Sequence, residues 1–102
     1  MKKSQEVIIK EALDPEGMIV GFRCGIEPPK ERLLRLIEAL ESLAVDLKES
    51  KLIDRKLSGA LHLLSFHAVG LIESKESYWS DTVEDLMPLI YEHIDEIFGV
   101  YE

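Results

Sequence analysis

From Leu57 to Ile72 the chain carries no Asp, Glu, Lys or Arg, although 31% of all residues are charged. A stretch of that kind constrains the fold more than any other part of the chain. Its apolar residues keep a helical period, with Ile53, Leu57, Leu61, Leu64, Ala68 and Leu71 on one stripe. The period predicts a helix over about 51–73, with Ser50 as the best N-cap. Phe66 and Val69 fall on the other side, and Leu52, Leu63 and Gly70 along the margin. Apolar residues thus occupy more than half the circumference, the pattern of a central, enclosed helix. Either an N-terminal hairpin over residues 5–26 or a dimer partner is expected to cover the second face. Gly59 and Gly70 leave room for a neighbour's close approach.

The same segment holds His62 and His67. Five residues apart on a helix, the two rings point about 140° away from each other. They cannot share one ion, because chelating pairs on a helix stand three or four residues apart. His67 lies at the edge of the apolar stripe and is expected to be half-buried. His62 lies on the side of Arg55, Ser58 and Glu73 and is expected to be exposed.

Two further helices follow from periodicity. Leu33, Leu36, Ile37, Leu40, Leu43, Ala44 and Leu47 form one stripe of a helix over 29–48, opened by Pro28-Pro29. Val83, Leu86, Met87, Ile90, Ile94, Ile97 and Phe98 share a face over 81–98. Asp81 and Glu84 have the spacing of a capping box, and Pro88 is expected to kink this helix. Gly99 is placed to stop it.

Residues 5–26 read as a β-hairpin. Two apolar arms, EVIIKEAL and MIVGFRCGI, flank Asp14-Pro15-Glu16-Gly17, a strong turn sequence. The second arm is rich in β-formers, and Gly21 and Gly25 read as a weakening or a bulge. The first arm, 6–13, is also compatible with a short helix ended by Pro15. The expected fold is therefore α+β, an N-terminal β-hairpin packed on three α-helices, with 1–102 as a single domain. An all-α bundle is the alternative.

Charge and composition narrow the function. Twenty acidic residues against twelve basic ones leave a net charge of −8. That disfavours nucleic acid and anionic membrane as partners, since both call for clustered Lys and Arg. No apolar run reaches the roughly 18 residues of a membrane span. The run Val7–Ile9 is too short for a signal-peptide core, and Cys24 alone cannot form an intrachain disulfide. The chain is expected in the cytoplasm.

No catalytic or cofactor motif is present. Gly21 and Gly25 lack the phosphate-loop pattern, and no nucleophile elbow occurs. His93 and Glu96, three apart, have ligand spacing but no second copy of the motif. No cofactor and no metal are expected. The leading expectation is a small, acidic, non-catalytic protein-interaction or regulatory module, with a protein partner or a homodimer. Phe66, Val69, Tyr78 and Trp79 are its candidate interaction surface. The alternative is a small enzyme or ligand-binding domain that joins His62, His67, His93 or Cys24 with carboxylates in a cleft.

Overall fold

The computed structural model describes residues 2–73 and 79–99, with the backbone alone over 71–73. All of the regular structure among the described residues is helical. In chain order it consists of α1 Lys3–Leu13, α2 Met18–Arg23, α3 Lys30–Leu47, α4 Arg55–Glu73 and α5 Asp81–Phe98. The expected N-terminal hairpin is absent, and the α+β assignment is corrected to an all-α bundle.

The turn at Asp14–Gly17 does form, but it joins two helices. Asp14 adopts φ −74° and ψ 144°, the extended conformation that a following proline imposes. Its carboxylate accepts the Glu16 N–H at 2.9 Å, and its carbonyl accepts the Gly17 N–H at 2.8 Å. A Cβ on residue 17 would stand 2.5 Å from the Lys10 carbonyl oxygen and 2.7 Å from that of Glu11. Only glycine lets α2 start this close to the end of α1.

Helix α1 buries Ile8, Glu11 and Ala12, and α2 buries Met18, Ile19 and Phe22. Both sets follow i, i+3 or i+4 spacing. A strand would have sent neighbouring apolar residues to opposite faces. Gly25 is neither a bulge nor a weak strand position. At φ 76° it ends α2 in a Schellman motif: Ile26 N–H bonds the Gly21 carbonyl at 2.8 Å, and Gly25 N–H bonds that of Phe22 at 3.1 Å.

Helix α3 matches its expected range to within a residue at each end. Helix α4 begins later than expected. Asp54, not Ser50, is its cap, since the Asp54 carboxylate accepts the Leu57 N–H at 3.0 Å. Ser50 instead closes a local turn with Leu52. Helix α5 is capped by Ser80, whose hydroxyl accepts the Val83 N–H at 3.4 Å. The reciprocal bond of a capping box comes from elsewhere: the Ser80 N–H donates to the carboxylate of Glu27 at 2.6 Å. Helix α5 runs through Pro88 to Gly99, which closes it at φ 68°.

The four long helices form a ring. α1 packs on α3, α3 on α5, α5 on α4, and α4 on α1. Among the described residues the diagonal pairs, α1 with α5 and α3 with α4, stand farther apart, without Cα atoms within 8 Å of each other. Side-chain links fix directions. Lys2 pairs with Asp46 at 3.2 Å at one end of α1 and α3, and Glu11 pairs with Arg32 at the other, so the two helices are antiparallel. Short α2 lies against α1 and α4. The centre is a single apolar cluster drawn from all five helices, with Ile8, Leu33, Leu40, Leu61, Met87 and Ile90 fully buried. Each such side chain contributes about 1.5–3 kcal/mol by leaving water.

Candidate functional site: the outer face of α4

Helix α4 occupies a corner of the ring, so one side of it faces away from the bundle. Leu57, Ala60, Leu61, Leu64 and Ala68 point inward and are buried. Phe66 stands about 180° from the centre of that stripe, and it is 67% exposed. The expectation of an enclosed helix therefore holds on one face only. With no hairpin in the fold, nothing of that kind covers the second face.

Around Phe66 lie Gly59, His62 and Gly70, all exposed, with Leu63 and Val69 half-buried at the margins. A Cβ at Gly59 or at Gly70 would meet nothing within 4 Å among the described residues. Neither glycine serves packing among the described residues, yet each costs a helix about 1 kcal/mol relative to alanine.

The other candidate surface residues behave differently. Trp79 is half-buried and meets Phe22 edge-on, ring centroids 5.1 Å apart. It closes the end of the core beside α2 and is not part of the α4 face. Tyr78 lies outside the described residues.

The groups of the cleft hypothesis do not converge. His62 is exposed on the outer face of α4, while His67 is half-buried, its ring edge-on to that of Phe66 with centroids 5.8 Å apart. Burial, aided by the positive charge of Arg23, lowers the His67 pKa below the ordinary histidine value. His93 sits on α5, 3.7 Å from Glu41 of α3 and 3.6 Å from Glu96, both of them exposed carboxylates. Among the described residues no three His, Cys, Asp or Glu side chains are grouped to hold a metal ion. Cys24 is exposed at the end of α2, beside a hollow of about 300 Å³ that no histidine lines.

Sequence reasoning missed one charged pair. Glu11 is 5% exposed, and its carboxylate accepts from Arg32 Nε at 2.6 Å and from an Arg32 terminal nitrogen at 2.5 Å. The same guanidinium donates to the Glu16 carbonyl at 2.8 Å. The hydrogen bond with Glu11 raises the Arg32 pKa against the opposing effect of burial. This pair lines a groove of about 960 Å³ between α1 and α3, together with Lys3, Lys10, Arg35 and Glu38. The signal was present in sequence: once α1 is helical, Glu11 falls between Val7 and Ile8 around the axis, on the apolar side of the helix.

No helix among the described residues is long and apolar enough to cross a membrane. No family model, no curated protein and no solved structure matches this chain.

Proposed function

We propose that this chain is a non-catalytic protein-interaction module of the cytoplasm, docking a protein through the outer face of α4. The observation that carries the reading is Phe66, 67% exposed on a helix without a charged residue between Leu57 and Ile72. A helix facing water normally carries charged or polar residues there. An aromatic ring flanked by glycines is the composition of a contact surface, where a large side chain seats in a partner and the bare backbone lets it come close. The net charge of −8 directs the choice toward protein, since phosphate-bearing surfaces would be repelled.

A photo-reactive amino acid at position 66 tests the reading, with one at the exposed Glu31 of α3 as control. Illumination in cells is expected to give a protein adduct from position 66 and none from position 31. Absence of an adduct at 66, or equal adducts at both positions, would sink the module reading.

A further inference from the structure

We infer that the partner seated on the outer face of α4 is a second copy of the same chain, with the two α4 helices antiparallel about a two-fold axis. The inference rests on the proposed reading of that face as a contact surface, and goes beyond it by naming the occupant.

The argument is self-complementarity. On the outer side of α4, positions 56, 59, 63, 66, 70 and 73 recur at alternating spacings of three and four, the seam of a two-helix coil. Lys56, Gly59, Leu63, Phe66, Gly70 and Glu73 occupy it. A two-fold axis passing level with the midpoint of Leu64 and Ser65 maps the seam onto itself in reverse. Leu63 of one copy then stands beside Phe66 of the other. Gly59 stands beside Gly70, so the glycines that meet nothing within 4 Å among the described residues face each other and let the backbones approach. The register also brings position 56, a lysine, level with position 73, a glutamate.

Charge favours the same direction. The first turn of α4 contains Arg55 and Lys56 and no acidic residue. Two cations there oppose the positive end of their own helix dipole. In an antiparallel pair each stands beside the carbonyl end of the partner helix, where a cation is favoured. A parallel pair would place like charges together. A contact dominated by one helix pair falls below the standard interface of about 1,600 Å², so micromolar association is expected.

Molar mass by light scattering and sedimentation, from micromolar to millimolar chain, tests this. The wild type is expected to rise from the 11.6 kDa of one chain toward twice that value. Gly59→Leu is the informative variant, because a side chain there has open space in the single chain. It is expected to keep its helical circular dichroism, to raise the thermal midpoint because leucine is a better helix former than glycine, and to remain at the mass of one chain. Lys56→Glu is expected to weaken association about tenfold, and adding Glu73→Lys to restore it. A wild type of one-chain mass throughout, a Gly59→Leu dimer as tight as the wild type, or no restoration by the double reversal would overturn the proposal. A monomeric chain that still forms an adduct with a different protein from position 66 refutes the second copy alone. A monomeric chain without an adduct refutes the module as well.

Discussion

Glu11 is the one charged side chain found buried among the described residues, and its position explains how α1 is held. A carboxylate withdrawn from water without a partner is strongly disfavoured, and the two-pronged guanidinium of Arg32 supplies that partner. Glu11→Gln leaves the hydrogen-bonding shape but removes the charge, and is expected to cost about 2 kcal/mol in urea unfolding. Replacing both partners, as Glu11→Leu with Arg32→Met, is expected to recover most of the loss, because two apolar groups no longer need each other. His67 gives a second residue-level expectation. Its pKa is lowered on folding by burial and by Arg23, so the unfolded chain binds the proton more readily. The stability contributed by the neutral ring is then complete above the unfolded histidine value of about 6.5 and is lost as pH falls through the folded value. Between pH 7.5 and 5.5 the unfolding midpoint of the wild type should fall more than that of His67→Gln. Equal falls would refute this.

At the scale of elements, the ends of the helices depend on contacts made far along the chain. Helix α5 is capped by its own Ser80 and by Glu27, which precedes α3. The Glu27 carboxylate also faces the positive end of the α5 dipole, an arrangement that ties the starts of α3 and α5 together. Ser80→Ala is expected to lower stability by about 1 kcal/mol. Glu27→Gln should cost less, with a loss that shrinks as salt screens the carboxylate. Thermal unfolding in low and high salt distinguishes the two. The ranges of α3 and α5 were legible because their apolar periods are long and unbroken. The Asp14–Gly17 turn was legible for the same local reason. What lay on either side of it was not. The β-formers Ile19, Val20 and Phe22 in α2 favour a strand, yet they fold as a helix because that spacing puts Met18, Ile19 and Phe22 on the core together. Gly25 could have revealed this: a glycine followed by Ile26 and two prolines is a helix stop as readily as a strand end.

At the scale of the molecule, the ring of α1, α3, α5 and α4 leaves each long helix an outer side, and only α4 presents one without charge from Leu57 to Ile72. That uncharged face was visible in sequence as an excess of apolar circumference. Its exposure was not, because the segment expected to cover it as a hairpin forms two helices that pack on the other side of α4. Of the candidate surface, Phe66 and its flank Val69 remain on α4, while Trp79 is drawn into the core by Phe22. The sequence alone determined the long helices and the turn, because a helix is bonded from each residue to the fourth before it and its apolar period repeats within a few turns. The tertiary structure alone decided the state of 3–13 and 18–23. Helices shorter than about 12 residues are not stable by themselves, and they take whatever conformation lets their apolar side chains reach a common core.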